Sequence, residues 1–518
     1  MIFTKLLQKL KKKASSKKEA TKKKPVKKLS SERNLQFDLF AQLSYMASVA
    51  TAGVSRSELF NFASLLPYSS SAYFRRIHLL AQKVNIDYAE GCRLVAERTK
   101  LQDVKSLLLR LAGSLSSGEE ETEFLAREAE HVAAVYGNQY ERDVESLKKW
   151  EDAYVTLVVA AGLIVIVSII SMMIYEVGVA IIIGLAVTMV FVTCLGAWII
   201  YASSPREIKT RVQGYSSIYQ IRASMLLKTL GPLAVMLAAL MVLMKVDLGW
   251  ILLMGSAMLF PAGYYINKDD KRVSSKDNDL PTVVRVLGAV TSAIGTTVTE
   301  ALGEVDRRSM GALMPEMTIL RYRLLSGINP RLCWSKVVDE SGSELVERTI
   351  TMFYDAMSLG GDAGKIGFAT SFYSSKIAFL RATRSMVAST FRWLVFPLHV
   401  SMVGLLIFIP QVMGLFTQSI NDSADTLAAT SGTNLPNSSM PIGDIFSFGQ
   451  VNLELINILV TLVVLVLTMA NSYAPKAADG GSNIKFFYNL AIMMALTGLL
   501  LLIIPVFATS LFESITEA

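Results

Sequence analysis

The segment Ser358-Leu-Gly-Gly-Asp-Ala-Gly-Lys-Ile-Gly-Phe368 has the residue types of a loop that wraps a phosphate: glycines, an acid and a lysine in close succession. A nucleotide-binding loop needs two glycines five apart, then Lys, then Ser or Thr, so that amides and ammonium surround the anion while the hydroxyl holds magnesium. Here Lys365 follows Gly364, but Leu359 stands five residues before that glycine and Ile366 follows the lysine. Spacing and hydroxyl both fail. The three His, at 78, 131 and 399, are too far apart for a local metal motif, and Cys92, Cys194 and Cys333 have neither zinc spacing nor the even count of a disulfide framework. With no acid/base pair and no nucleophile motif, the chain is expected to be no enzyme and to carry no catalytic, cofactor-binding or metal-binding residues.

The elements that hold this segment are set by composition. Of 518 residues 52% are apolar, and the mean hydropathy is positive. A helix crosses a bilayer in roughly 20 apolar residues, and seven stretches qualify: Ala153–Met173, Val177–Tyr201, Leu230–Lys245, Leu248–Asn267, Trp393–Phe416, Leu453–Tyr473 and Phe486–Ala508. The third is short, with Lys228 at its mouth and Gly231-Pro232 expected to interrupt its first turn. His399 falls inside the fifth, where packing or an interhelical hydrogen bond is its expected role. No short apolar core with a small-residue cleavage site follows the first lysines, so no signal peptide is expected.

Lys and Arg near membrane ends stay on the cytoplasmic side. The loop holding Arg206, Lys209, Arg211 and Arg222 against Glu207 is therefore expected inside. The loop with Asp422, Asp425 and Asp444 and no base is expected outside, as is the C-terminus, because no Lys or Arg follows Lys485. Seven crossings then put the N-terminus in the cytoplasm of a multi-pass protein of the cell membrane. The net charge of +8 is uneven, since residues 1–33 alone carry +11. This arm, with Lys11, Lys12, Lys13, Lys22, Lys23 and Lys24 at its centre, cannot build a core and is expected to be disordered, either solvated or lying on anionic lipid heads. Nucleic acid is not an expected partner, because no aromatic residue interleaves the lysines.

Subtracting the spans leaves two similar regions of about 120 residues each. YMASVATAGVSRSELF (45–60) aligns with LGAVTSAIGTTVTEAL (287–302), placing Gly53 and Glu58 opposite Gly295 and Glu300 at an offset of 242. RLVAE (93–97) aligns with KVVDE (336–340), and AGSLSSGEEETEF (112–124) with DAMSLGGDAGKIG (355–367), placing Gly118 opposite Gly361 at 243. Apolar residues at i, i+3 and i+4 make both copies helical. Gly53 and Gly295 stand where helices should stop. Ser117-Gly118-Glu119-Glu120 has the pattern of a capping box and Asp362 can cap the second copy, so both segments read as the elbow of a helical hairpin whose outgoing arm heads for the membrane.

These motifs, in register, resemble the type II secretion system F domain, the fold of membrane platform proteins in type II secretion, type IV pili and their archaeal relatives. The resemblance covers most of residues 35–416. The extra spans and the polar outer loop look like the archaeal branch, the platform of the archaellum or of archaeal adhesive pili. Asn421-Asp-Ser and Asn437-Ser-Ser in that loop are glycosylation sequons, making Asn421 and Asn437 candidate modification sites.

The resulting expectation is an all-α, polytopic helical membrane protein with two repeated cytoplasmic helical-bundle domains of F-domain type. Its segments are a basic arm (1–33), the first repeat (34–152), four spans (153–267), the second repeat (268–392), one span (393–416), an outer loop (417–452), two spans (453–508) and an outer tail (509–518). The resemblance implies a platform on which a cytoplasmic hexameric secretion-type ATPase drives extraction and assembly of prepilin- or archaellin-like filament subunits, the platform itself being plausibly a homodimer. Candidate ATPase-docking residues are Glu119, Glu120, Glu121 and Glu123 on the first elbow and Arg307, Arg308, Arg321, Arg323 and Lys365 in the second repeat. The alternatives are a transporter, to which the prolines at 232, 397 and 410 are suited, and a membrane scaffold or receptor using the helical domains to bind a partner.

Overall fold

The computed structural model describes residues 32–171, 179–205, 207, 209–210, 218–430 and 453–516. The lysines of the basic arm and Asn437 lie outside these residues. Every regular element among those described is helical. The first repeat comprises α1 (Glu32–Ala50), α2 (Arg56–Leu65), α3 (Ser71–Val84), α4 (Tyr88–Glu97), α5 (Gln102–Ser117) and the start of α6 (Glu121–Ser171). Then come α7 (Val179–Ser203), α8 (Ile218–Leu243) and α9 (Leu248–Ile294). The second repeat continues through α10 (Val298–Glu304), a 3-10 segment (Arg307–Leu313), α11 (Met314–Leu325), α12 (Pro330–Ser341), α13 (Glu344–Ser358) and α14 (Ala363–Thr430), before α15 (Leu453–Asp479) and α16 (Lys485–Thr516). Helices α6, α7, α8, α9, α14, α15 and α16 are each long and apolar enough to cross a membrane.

Two spans differ from expectation. Helix α8 begins at Ile218 and carries Pro232 internally, so Gly231-Pro232 does not break it. Proline is tolerated in apolar helices of this kind, where neighbouring groups satisfy the freed carbonyl. Helix α14 runs on to Thr430, so residues 417–430 are helical rather than loop and Asn421 stands on that helix. The run TQSINDSADTLAAT contains neither Gly nor Pro to stop it.

The duplication keeps one offset. The starts of α2 and α10, α4 and α12, α5 and α13, and α6 and α14 are all 242 residues apart. The glycine conformationally equivalent to Gly118 (φ +73°) is therefore Gly360 (φ +84°), which corrects the pairing with Gly361. Gly361 answers to a different constraint: a Cβ there would lie 2.7 Å from Thr51 Oγ1 at the end of α1. Ser117 also departs from its expected role. It ends α5, its hydroxyl bonding back to Ser114, and caps nothing. Asp362 Oδ1 does cap α14, accepting from the amides of Gly364 and Lys365 at 2.9 and 3.1 Å. The capping box of the first repeat is instead Ser55 with Glu58, at the start of α2.

Both repeats bury their apolar faces in one shared core. Phe40 of α1 meets Tyr373 of α14 with ring centroids 4.9 Å apart. Polar ties cross the same seam: the Tyr45 hydroxyl donates to Asp355 Oδ2 at 3.0 Å, and Arg348 Nη1 donates to Asp38 Oδ1 at 2.9 Å. The Arg348 guanidinium lies over the Phe37 and Tyr68 rings, 4.3 and 4.5 Å from their centroids. A second apolar core lies among the spans. There His399 bonds Thr497 (2.9 Å) and Asn471 (3.2 Å), and the Tyr154 hydroxyl donates to Asn471 (2.7 Å), so four membrane helices share one polar chain.

Helix α9 runs from the shared core of the repeats to α16 among the spans and is held by glycine near each end. Near its start a Cβ on Gly249 would fall 3.0 Å from the Gly498 carbonyl oxygen of α16. Near its end a Cβ on Gly288 would fall 2.5 Å from the Ala363 oxygen and 2.7 Å from Gly367 Cα of α14. Small residues let helix backbones approach this closely. Gly288→Ala should therefore lower stability by about 1–3 kcal/mol through overpacking. Gly113→Ala, on the open face of α5 with nothing within 4 Å, should raise it by up to about 1 kcal/mol; thermal melts in detergent compare the two.

Burial raises the Asp355 carboxyl above its ordinary 3.8, with the Tyr45 hydrogen bond opposing. A raised folded-state value favours the fold below pH 3.8, and that contribution is lost as pH climbs through the raised value. Asp355→Asn keeps an acceptor for Tyr45 without the charge. It should melt at or above wild type at pH 7, the advantage shrinking as the pH approaches 4.

Candidate functional site: a buried ionic joint between repeats and spans

The two cores meet in a layer of buried charge. Helix α9 leaves the membrane through Lys268-Asp-Asp-Lys-Arg-Val-Ser-Ser-Lys-Asp277, and Asp269, Asp270, Lys276 and Asp277 are all buried. Asp270 and Asp277 lie seven residues apart, two helical turns, and so share one face. On α14 the cations Arg381, Arg384 and Arg392 recur at spacings of three and eight, again one face. The turn between α15 and α16 brings Asp479 and Lys485 together around Gly480-Gly481. The segment after α7 adds Glu207 and Lys209.

Arg381 is the centre. It bonds Glu207 and, at 2.6 Å, Asp277 Oδ2. The Tyr140 hydroxyl of α6 donates to Glu207 at 3.2 Å, and the Ser343 hydroxyl at the start of α13 donates to Asp277. Nearby, Asp270 accepts from Lys209 (3.0 Å) and Lys485 (2.6 Å), while Asp479 accepts from Lys485 (2.5 Å) and Arg392 (2.7 Å). The backbone joins in: the Glu344 amide donates to the Lys209 carbonyl at 3.3 Å, and Thr210 bridges to Ser343. Burial raises the Glu344 carboxyl, with Arg348 opposing. Helices α6, α9, α13, α14, α15 and α16 and the segment after α7 are thus fastened at one level.

The docking residues read from sequence lie elsewhere. The turns at Gly53, Gly118, Gly295 and Gly360 gather at the end away from the spans, because α1 and α6 run antiparallel (Phe37 beside Tyr136, Arg56 beside Glu121). There Glu120, Glu123 and Lys365 are exposed, whereas Glu119 bonds Arg127 and Glu121 bonds Arg56. Arg323 is not at that end. It pairs with Glu340, whose carbonyl accepts from Lys276, eighteen residues before the end of α9, or about 27 Å at 1.5 Å per residue. Arg321 packs against Gly303 in the same repeat. Exposed Arg307 and Arg308 belong to the 3-10 segment, which bonds Asp279 of α9 through the Ala312 amide. The elbow acids and the arginines are therefore separate surfaces.

The chain is similar to the Flagella accessory protein J of Methanococcus voltae, 23% identical over 464 residues, covering 85% of this chain and 79% of the relative. It is also similar to the protein of that name from Methanocaldococcus jannaschii, 24% identical over 418 residues, covering 78% and 72%. These likenesses support an archaellum-associated family. No family model and no solved structure matches the chain.

Removing one member of a buried pair leaves an unpaired charge, whereas removing the whole group with isosteric neutral residues avoids that cost. Arg381→Ala should destabilise by about 3–5 kcal/mol. The triple change Arg381→Met, Glu207→Gln, Asp277→Asn should recover at least half of that loss, and Lys365→Ala on the exposed elbow should shift stability by less than about 0.5 kcal/mol. Melting in detergent, followed by tryptophan fluorescence, distinguishes the three.

Proposed function

We propose that the chain is the membrane platform of an archaellum-assembly machine, built on F-type repeats. It passes the work of a cytoplasmic hexameric secretion-type ATPase to the extraction of archaellin-like subunits from the bilayer and their addition to a filament. One observation carries the reading: α6, α9 and α14 each run without a break from the shared core of the repeats into a span, and the Arg381 joint braces all three. A displacement applied at the far end of the repeats reaches the spans through stiff rods. The likeness to the two Flagella accessory proteins supports the same assignment, and the charge distribution supports a cytoplasmic repeat body.

In this reading the ATPase meets the end bearing Glu120, Glu123 and Lys365, and the platform transmits force without hydrolysing nucleotide. Exposed charges of this kind chiefly set encounter rates and their salt dependence. Glu120→Lys with Glu123→Lys should slow association of the hexamer with the detergent-solubilised chain roughly tenfold at low salt, the difference closing at high salt. Surface-immobilised binding measures this; absence of any hexamer binding to the wild-type chain would sink the proposal.

A further inference from the structure

An apolar cleft and a polar pocket adjoin on the flank of the spans, the pocket bordering the Arg381 joint through Glu207. The cleft, about 520 Å³, lies between α7 and α15 and is lined by Cys194, Trp198, Leu465, Met469, Tyr473 and Phe486 among others. The pocket, about 240 Å³, is lined by Ser204, Glu207, Arg384, Lys476, Gly480 and Asn483 among others. Tyr201 lines both. Its ring lies 6.1 Å from that of Tyr473, forming the sill between them. Ser204 follows Tyr201 by three residues and Lys476 follows Tyr473 by three, so the polar pocket sits one helical turn beyond the apolar cleft.

That order matches the profile of a lipid. Tyrosines collect at the headgroup level of a bilayer, which puts Trp198 and Met469 at acyl-chain depth and Lys476 and Arg384 at the depth of phosphate. Both cations are more than nine-tenths buried. Arg384 spends its donors on the carbonyls of Pro205, Ala477 and Ala478 and on the Ser204 hydroxyl. Lys476 Nζ donates to Asn483 Oδ1 at 2.7 Å, and among the described residues that is its one hydrogen bond of a possible three. Neither makes an ion pair with a described carboxylate. Asp479, Asp270 and Glu207 are taken by Lys485, Arg392, Lys209 and Arg381. Glu207 also lines the pocket but is bonded to Arg381, so Lys476, a buried cation with donors to spare beside an apolar cleft, suits an amphiphile with an anionic head.

We infer that this flank binds one anionic phospholipid, its phosphate against Lys476 and one chain in the cleft beside Trp198. The test uses the full chain in detergent and lipids with brominated acyl chains, which quench tryptophan on contact. Subtracting the signal of Trp198→Phe isolates the residue in the cleft. Brominated phosphatidylglycerol should quench it at roughly tenfold lower concentration than brominated phosphatidylcholine, the size of one charge-assisted contact. Lys476→Gln should reduce that preference to within twofold while chain contact persists, and Lys476→Arg should retain it. Equal midpoints for the two lipids on the wild-type chain would overturn the proposal, and that comparison needs no variant of Lys476. Inorganic phosphate should fail to remove the preference at concentrations where the lipid saturates. Loss of the preference under those conditions would also overturn the lipid assignment, marking a site for free phosphate.

Discussion

One guanidinium, that of Arg381, holds the molecule in register. Its side chain, 9% exposed, lies between Glu207 and Asp277, which come from the segment after α7 and from α9, while Arg381 itself rides on α14. Apolar contacts between helices tolerate small adjustments, because a lost methylene contact costs only about 0.8 kcal/mol. A stranded buried charge costs several times that. Rotating α14 by one residue turns its face by about 100° and moves it about 1.5 Å, enough to leave both carboxylates without a partner. The ionic layer therefore contributes less to the total stability than to fixing one axial and rotational setting of the long helices.

This matters because the two apolar cores could each pack well in more than one mutual arrangement. The upper core joins the repeats through Phe40, Tyr45 and Arg348. The lower core joins the spans, with the Tyr154, Asn471, His399 and Thr497 chain as its polar key. Among the described helices, α6 and α14 contribute buried residues to both, and α9 runs from the upper core to pack against α16. Glycines at Gly249 and Gly288 bring α9 close against α16 and α14, and the charges between them set the phase. Close approach without a phase would permit sliding; a phase without close approach would leave the charges wet and weak.

Much of this was legible in the sequence, for definite reasons. Apolar runs of span length and helical periodicity report burial directly, and glycine at helix ends reports a left-handed residue, so the all-helical architecture and the turns at Gly53, Gly118 and Gly295 could be read. The second elbow was misaligned by one because Gly360 and Gly361 are adjacent and only conformation tells them apart. Ser117 followed by Glu120 imitates a capping box, while the actual box at Ser55 and Glu58 lay unread inside a segment aligned for its glycine. The joint was missed for a deeper reason. Charged residues read as solvated by default, and nothing local distinguishes Asp277, buried against Arg381, from Glu120, which faces water. The spacing of Arg381, Arg384 and Arg392 on one face of a helix entering the membrane was the available signal.

The duplication itself explains why the joint lies where it does. Among the described residues the first repeat continues into a span through α6. The second reaches the membrane twice, because the counterpart of α1 is the end of α9 and the counterpart of α6 is α14. Rods that enter the bilayer separately would shift against one another under an axial load unless they were tied where they enter. Tyr140 of α6 bonding Glu207, and Glu207 bonding Arg381 of α14, tie α6 to α14. The arms of the two copies are thus tied to each other by buried charge at the level where they leave the repeats.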